Sequence, residues 1–246
     1  MVIGLLHPGE MGSAVGFCLM SAGHTVLWAS DGRSAETTAR AAEFEDAGTV
    51  DEVSRRSDVI LSVCPPHAAL DVSHSVGEFE GVYVDANAVS PTTAREIGAA
   101  AGRFVDGGII GPPPREPGDT RLYLAGPEAE GVASLFAGTA LDARVLPGEP
   151  GAASALKMAY AAWTKGTAAM LLAIRVLARA EDVEPALLDE WRLSQPELIE
   201  RSASAARSAD RKGWRWVGEM EEIASTFASA GLPDGFHLAA AEVFRS

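Results

Sequence analysis

The chain opens with Met1-Val-Ile-Gly-Leu-Leu-His-Pro-Gly-Glu-Met-Gly12, and this stretch decides the fold. The apolar run 2–6 predicts a short buried strand, and the segment 11–21 predicts a helix that follows almost at once. Similar pairs of a short apolar strand and a helical segment recur over the first 150 residues. Strands that alternate with helices at this spacing indicate a parallel sheet covered by helices on both faces.

The predicted elements alternate between strand and helix over the first part of the chain, and only helices are predicted after that. Strands are expected at 2–6, 25–29, 59–63, 82–85, 104–106, 122–125 and 143–146, with helices at 11–21, 34–43, 68–75, 91–101 and 128–136. After Gly151 the strand signals end, and helices are expected at 152–180, 185–193, 196–208, 214–230 and 233–245. The fold class is therefore α/β. A Rossmann-type doubly wound sheet is expected in residues 1–150, and an all-helical domain in residues 151–246.

Charge and composition exclude several classes of function. The net charge of −14 argues against nucleic acid, because phosphate binding depends on clustered cations, and it disfavours an anionic membrane surface. The most apolar later stretch, 168–180, contains Arg175 and Arg179 and is too short to span a bilayer. Cys18 and Cys64 have no metal-ligand spacing. We expect a cytoplasmic protein that uses no metal and binds neither nucleic acid nor membrane.

Gly9 and Gly12 match two glycines of the dinucleotide-binding fingerprint G-x-G-x-x-G. Gly9 would let the backbone approach a pyrophosphate, and Gly12 would let the helix pack on the strand. His7 replaces the first glycine, which serves the tight turn, and the fixed φ of Pro8 helps to set its shape. Its imidazole could serve the turn alone or lie near the cofactor. A plain strand–turn–helix also favours glycines. The candidate cofactor contacts in this turn are His7, Pro8, Gly9, Glu10 and Met11.

The end of the second strand, Trp28-Ala-Ser-Asp-Gly-Arg-Ser34, bears on the choice of cofactor. An acid about 20 residues after the glycine turn binds the adenosine ribose of NAD, and Asp31 would suit that role. Arg33 and Ser34 would suit the 2′-phosphate of NADP, and Ser30 is a further candidate cofactor contact. A turn at Asp31-Gly32 would point Asp31 outward and bring Arg33 back, so NADP is favoured over NAD. A charged surface turn is the alternative.

Two further strands end in Val63-Cys-Pro-Pro66 and Asp85-Ala-Asn-Ala-Val-Ser-Pro91. Both ends are expected at the carboxyl edge of the sheet, where doubly wound folds bind ligands. Cys64, Pro65 and Asn87 are therefore candidate cofactor contacts. Asn87 and Ser90 have an alternative role as caps of the helix that follows.

Lys157 lies in the predicted helix Gly151-Ala-Ala-Ser-Ala-Leu-Lys-Met-Ala-Tyr-Ala-Ala-Trp-Thr-Lys165, which is expected to be buried nearly all round. A lysine in such surroundings is costly unless it is paired or functional, and its amine can lose a proton, as a guanidinium cannot. The alternative is a stem that reaches the helix edge. Tyr160 and Thr164 share the face of Lys157.

Taken together, these segments resemble the β-hydroxyacid dehydrogenase superfamily, which includes 6-phosphogluconate and 3-hydroxyisobutyrate dehydrogenases. IGLLHPGEMG resembles the motif G-x-G-x-M-G, and VDANAVSP resembles D-x-S-T-x-x-P. FVDGGIIG resembles the substrate segment D-A-P-V-S-G-G, and GAASALKMAY resembles the catalytic segment G-x-G-x-x-x-K-x-x-x-N. The four segments keep the family's order. The C-terminal KGWRWVGEMEEI…AGLPDGF resembles a poorly characterised phosphogluconate-dehydrogenase-like subgroup.

The resemblance implies an NAD(P)-dependent oxidoreductase that converts an alcohol of a small acid to a carbonyl, or the reverse. Lys157 falls at the catalytic lysine of the family, which serves as general base or general acid. Asn87 and Tyr160 are the other candidate catalytic residues. The implied substrate contacts are Gly108, Ile109, Ile110, Trp163 and Thr164. The partners expected are a small-molecule substrate and a second copy of the chain, paired through the helical domain.

The chain departs from the family pattern at three places. Ala161 replaces the asparagine four residues after the lysine, and Ile110 replaces the serine of the substrate segment. Gly218-Glu-Met220 stands where the family has a late K-D-L motif. Two other functions therefore stay open: an imine or enamine reductase on the same scaffold, and a non-catalytic NADP-binding protein.

Overall fold

The computed structural model describes residues 1–245, with every side chain among them except that of Lys212. The chain divides into two compact units, Met1–Lys157 and Met158–Ser246. A single helix, Ala152–Ala180, runs through the division. The domain limits 1–150 and 151–246 stay a prediction.

The first unit is built on one sheet of eight strands in the order β3-β2-β1-β4-β5-β6-β7-β8. The strands are β1 Val2–Leu6, β2 Thr25–Trp28, β3 Glu45–Asp46, β4 Val59–Ser62, β5 Val82–Asp85, β6 Phe104–Ile110, β7 Thr120–Ala125 and β8 Leu141–Val145. All neighbouring strands pair in parallel except β6 and β7, which are antiparallel. The expected parallel sheet is therefore wrong at this one pair, because the proline-rich loop after Ile110 returns the chain directly.

Helices cover both faces of this sheet, as predicted. They are α1 Glu10–Ser21, α2 Ala35–Arg40, α3 Val50–Arg56, α4 Ala69–Ser75, α5 Pro91–Ala101 and α6 Ala129–Ser134. Successive residues of a strand point to opposite faces. Thus Val59 and Leu61 of β4 pack with α1 and α6, whereas Ile60 between them packs with α3, α4 and α5. The doubly wound Rossmann-type fold is confirmed.

The rest of the chain is helical: α7 Ala152–Ala180, α8 Glu184–Ser194, α9 Glu197–Ser229 and α10 Gly235–Arg245. The sequence predicts two helices where α9 is one, so the break expected near 209–213 is wrong. Gly213 is buried in α9, and a Cβ added to it would lie 3.7 Å from the carbonyl oxygen of Phe244. This distance is an ordinary van der Waals contact, so Gly213 lies in the packed surface between α9 and α10.

By length and composition alone, α7 could cross a membrane, since an 18-residue window of it has a mean hydropathy of 1.2. The stretch 168–180 considered in the sequence forms only the second part of this longer helix. A core helix can meet the same criterion, and 28% of this window is buried. The absence of membrane binding stays a prediction.

Candidate cofactor and substrate site

The β1–α1 turn is tight and contains a residue in a left-handed backbone conformation. His7 has a φ of +64°, in the left-handed region where glycine is usual. The amide of Gly9 donates to the carbonyl oxygen of His7 at 2.7 Å, which closes the turn. A Cβ added at Gly12 would lie 2.6 Å from that same oxygen, whereas no described atom lies within 4 Å of a Cβ added at Gly9. Gly12 is thus needed for packing, and Gly9 leaves the outer side of the turn open.

Two buried polar atoms beside this turn have no hydrogen-bond partner among the described residues. They are Nδ1 of His7 and Nε of Arg33. The pKa of His7 is lowered to about 4, first by burial and then by the charge of Arg33. The imidazole is therefore neutral at pH 7, and the guanidinium lies close enough to act on it. A buried donor without a partner is costly, so an oxygen of a bound ligand would fit between these groups.

The β2–α2 turn brings Arg33 back toward the sheet. Gly32 has a φ of +68°, and the amide of Arg33 donates to the carbonyl oxygen of Ser30 at 3.1 Å. Asp31 is exposed and Arg33 is half-buried. Ser34 caps α2 by accepting from the amide of Thr37 at 3.2 Å. The turn expected at Asp31-Gly32 is therefore present, with the acid outward and the arginine inward.

Asn87 ties together the carboxyl ends of β4 and β5. Its Oδ1 accepts from the amide of Cys64 at 2.6 Å, and its Nδ2 donates to Oγ of Ser62 at 3.0 Å and to Asp85. The residue is 2% exposed, and its hydrogen bonds hold the carboxyl ends of the two strands together. The cap of α5 is Ser90, which accepts from the amide of Thr93.

Cys64 and Pro65 follow β4 at the same edge. Burial raises the pKa of the Cys64 thiol to about 12. Since the thiolate is the nucleophilic form, this cysteine stays protonated and unreactive near neutral pH. It can line a site but does not attack a substrate.

The junction between β6 and α7 is held by the carboxylate of Asp106. Oδ2 accepts from the amides of Gly151 and Ala153 at 2.8 Å and of Ser154 at 3.0 Å, and Oδ1 accepts from the Ser154 hydroxyl at 2.5 Å. The carboxylate is 0% exposed. It satisfies the free amides of the helix start and complements the positive end of the helix dipole. Sequence reasoning missed this role, because a lone aspartate in a glycine-rich segment gives no sign of a partner 45 residues away.

Gly108 lets the start of α7 lie directly against β6. A Cβ added at Gly108 would lie 2.8 Å from the carbonyl oxygen of Ala153 and 3.0 Å from Cβ of Lys157. Lys157 is half-buried, one helical turn after the residues that Asp106 holds. The side chain of Lys157 therefore starts from a fixed point above the carboxyl half of β6.

The other predicted substrate residues are placed differently. Ile109 packs in the apolar cluster shared with α1 and α6, and Ile110 is also buried. In these positions the side chains of Ile109 and Ile110 are not available to a substrate, and only their backbone atoms could contact one. Tyr160, Trp163 and Thr164 lie in the second unit and are exposed. The expectation that α7 is buried nearly all round is therefore wrong, since Trp163 is 64% exposed.

Within the second unit, Trp163 and Thr164 border a groove of about 300 Å³ with Arg201 and Trp216. The guanidinium of Arg201 lies 5.8 Å from the centre of the Trp163 ring, in cation–π contact. Glu219 is buried and pairs with Nζ of Lys165 at 2.8 Å. This pairing gives Glu219 a structural role. In the part of the chain that the structure describes, no group of three or more His, Cys, Asp or Glu side chains could hold a metal.

Comparison with known proteins gives one family model and one curated relative. Residues 178–246 match the family described as a domain of unknown function, DUF1932. An uncharacterised 28.5 kDa protein from Methanothermus fervidus, encoded in the 7S RNA 5′ region, is 32% identical over 126 residues. That match covers 50% of this chain and 49% of the relative, so it spans about half the length of each.

Solved structures match the whole chain. The conserved protein MTH1747, of unknown function and structurally similar to 3-hydroxyacid dehydrogenases, is 27% identical with a TM-score of 0.71, covering 100% of this chain and 96% of its own. A 3-hydroxyisobutyrate dehydrogenase from Salmonella typhimurium is 16% identical with a TM-score of 0.74, covering 100% and 93%. A reductive aminase from Aspergillus terreus, solved with NADPH and ethyl levulinate, is 18% identical with a TM-score of 0.62, covering 99% and 92%. The predicted resemblance is confirmed: the chain has the fold of the 3-hydroxyacid dehydrogenase-like proteins.

Proposed function

We propose that this chain, which has the 3-hydroxyacid dehydrogenase fold, is an NADP-dependent oxidoreductase. It would interconvert the alcohol and carbonyl forms of a small hydroxy acid, with Lys157 as general acid and base. The observation that carries the proposal is the placement of Lys157. Its Cβ lies where Gly108 brings α7 against β6, and Asp106 holds the start of its helix.

The β1–α1 turn and its surroundings fit a nicotinamide dinucleotide. The open side of Gly9 and the positive end of the α1 dipole suit a pyrophosphate. The unpartnered Nε of Arg33 suits the 2′-phosphate of NADP, since a guanidinium pairs well with phosphate oxygens. The full set of residues proposed to hold the cofactor is His7, Pro8, Gly9, Glu10, Met11, Ser30, Arg33, Ser34, Cys64, Pro65 and Asn87. The bound nicotinamide would supply or accept the hydride.

The proton is the part of the reaction that this chain would move. During oxidation the amine of Lys157 would take the proton of the substrate hydroxyl, and during reduction its ammonium would return a proton to the carbonyl oxygen. Asn87 would act by fixing the ends of β4 and β5 beside the cofactor. Tyr160 lies three residues after Lys157, and its phenol would replace the polar contact that the family draws from an asparagine.

One observation favours the alternative, an imine or enamine reductase. The side chains of Ile109 and Ile110 are buried and apolar, so this segment offers no hydroxyl to a substrate carboxylate. A substrate without a carboxylate would lose nothing there. The third possibility is a protein that binds NADP without turnover.

We also propose that two copies pair through the second unit, and that the protein acts in the cytoplasm on a small-molecule substrate. Among the described residues, most of the large apolar side chains left exposed belong to this unit, including Trp163, Leu177, Trp214 and Phe236. Such exposure marks an interaction surface. Sedimentation equilibrium should give the mass of a dimer, and a monomer at all concentrations would refute the pairing.

The test is turnover on a panel of hydroxy acids, their keto acids and cyclic imines. Lys157→Met and Lys157→Arg should each lower kcat by about 10²- to 10⁴-fold, because neither side chain can exchange a proton near pH 7. NADPH affinity should change little. Arg179→Met, an exposed position on the same helix, is the matched control and should keep wild-type turnover.

Each other outcome decides against the proposal in its own way. Near-normal turnover by Lys157→Met would remove the lysine from the mechanism. Turnover on imines alone would select the reductase, and tight NADPH binding with no turnover on the whole panel would select the non-catalytic protein.

A further inference from the structure

His7 combines an unusual backbone conformation with an unusual side-chain environment. Its φ of +64° is one that asparagine and glycine adopt more readily than histidine. The carbonyl oxygen of His7 is fixed by the Gly9 amide and by the close approach of Gly12. The backbone of His7 is therefore held at the base of the β1–α1 turn, and its side chain starts from a fixed point.

His7 follows β1 and Arg33 follows the neighbouring parallel strand β2, so both residues lie at the same edge of the sheet. Nδ1 of His7 and Nε of Arg33 are both buried and unbonded among the described residues. The charge of Arg33 contributes, after burial, to the lowered pKa of His7. An anion bound here would accept from the guanidinium and, once His7 is protonated, from the imidazolium as well.

The other ionisable groups near this turn are Glu10, Asp31, Cys64 and Asp85. On α1, Glu10 is an exposed carboxylate, and in the β2–α2 turn Asp31 is exposed as well. At the end of β4 the Cys64 thiol is protonated, since its pKa is raised to about 12. At the end of β5 the buried Asp85 acts as a charge on Cys64. Arg33 is the charge that acts on His7 itself.

We propose that His7 and Arg33 together bind one phosphate group of the cofactor, and that His7 takes up a proton from solvent when that phosphate binds. The inference rests on the proposed cofactor. The chemistry it names is a phosphate ester, which could be the 2′-phosphate of NADP or the pyrophosphate that NADP shares with NAD.

The direction in which pH changes cofactor affinity follows from the pKa of His7 in the free protein and in the complex. In the free protein the pKa of His7 is about 4, owing to burial and to Arg33. A bound phosphate favours the charged imidazole and offsets the field of Arg33, so the pKa in the complex is higher. A group with a higher pKa in the complex strengthens binding as the pH falls through that pKa. The gain can reach about tenfold per pH unit and levels off below the pKa of the free protein.

The experiment measures dissociation constants of NADPH and NADH by fluorescence from pH 5.5 to 8.5. Wild type is compared with His7→Asn, which tolerates the left-handed backbone and keeps a polar amide but does not titrate. The titration of the cofactor's own phosphates is common to both proteins and cancels in the ratio of their affinities. We expect this ratio for NADPH to favour wild type by about threefold more at pH 6 than at pH 8.

The two cofactors separate the two phosphates. A pH-dependent ratio with NADPH alone assigns the 2′-phosphate, and the same dependence with NADH assigns the pyrophosphate. Arg33→Ala should weaken binding of the assigned phosphate and reduce the pH dependence. His7→Gly, which keeps the turn without any side chain, should behave as His7→Asn does in its pH profile.

The proton uptake would be overturned if the ratio of wild-type to His7→Asn affinities stays constant across the pH range. Thermal melting of both proteins checks that each is folded in these measurements. Failure of the wild type to bind either cofactor would instead overturn the proposed function, and this inference with it.

Discussion

The β1–α1 turn and the β6–α7 junction are both glycine-containing places where a helix begins against the sheet, yet their polar groups are treated in opposite ways. At the junction, the carboxylate of Asp106 accepts four hydrogen bonds, three from amides and one from the Ser154 hydroxyl. At the turn, Nδ1 of His7 and Nε of Arg33 are buried without partners in the described structure.

The difference separates a scaffold from a binding surface. A satisfied network fixes its members, so the first turn of α7 is rigid before any ligand arrives. Burying polar groups without partners costs free energy, and this cost is offset only when a ligand supplies the missing hydrogen-bond partners. The junction therefore fixes the start of the helix that carries Lys157, and the turn is the surface that we propose to bind phosphate.

Removing the acceptor at the junction should have the largest effect on stability. Asp106→Ala leaves three amides and a hydroxyl buried without their acceptor and should lower the free energy of unfolding by about 3–5 kcal/mol. Urea unfolding monitored by circular dichroism measures this loss. Asp106→Asn keeps one carbonyl acceptor and should lose about half as much.

Asp142→Ala is the matched control, since its carboxylate makes an ion pair with Arg144 at the surface. Its cost should stay below about 1 kcal/mol, as for exposed pairs. If Asp106→Ala costs no more than this control, the junction is not the rigid support described above.

Substitutions at the two glycines of the turn, Gly12 and Gly9, should distinguish an effect on packing from an effect on cofactor binding. Both should lower the free energy of unfolding by less than Asp106→Ala does. Gly12→Ala would bring a Cβ to 2.6 Å from the His7 carbonyl oxygen and should cost about 1–3 kcal/mol, because backbone must shift. Gly9→Ala meets no described atom within 4 Å and has a φ of −71°, so its stability should be near that of wild type.

Gly9→Ala should nevertheless weaken NADPH binding, because its methyl group would occupy the open side of the turn. Thermal melts and NADPH titrations on both variants test the contrast. Equal NADPH affinity in Gly9→Ala and wild type would remove the phosphate from that side of the turn.

Much of this fold could be predicted because its signals are local. The apolar runs of β1 and β5 and the proline at the start of α5 mark their elements correctly, and the proline-free stretch 152–180 matches α7. The short β3 and α3 carry few apolar residues and were not predicted. Gly213 lies in the contact between α9 and α10, and the reversal of β7 depends on its pairing with β6. Such tertiary contacts leave no periodic pattern in the sequence.

In the candidate site, too, residues marked by local signals could be predicted and residues defined by tertiary contacts could not. Residues at strand ends, such as Arg33 and Cys64, could be found because parallel strands end at one edge. Asp106 could not, since its partners lie 45 to 48 residues away and its own segment shows only glycines. Conversely, Ile109 was chosen from a motif position, and the structure shows its side chain in the core.

The most direct test of the central claim is a fluorescence titration of the wild-type protein with NADPH and with NADH at pH 7. A charge-assisted contact from Arg33 to the 2′-phosphate predicts that NADPH binds about 10- to 100-fold more tightly than NADH, and that Arg33→Ala removes most of this preference. No saturable binding of either cofactor, or tighter binding of NADH, would contradict the account.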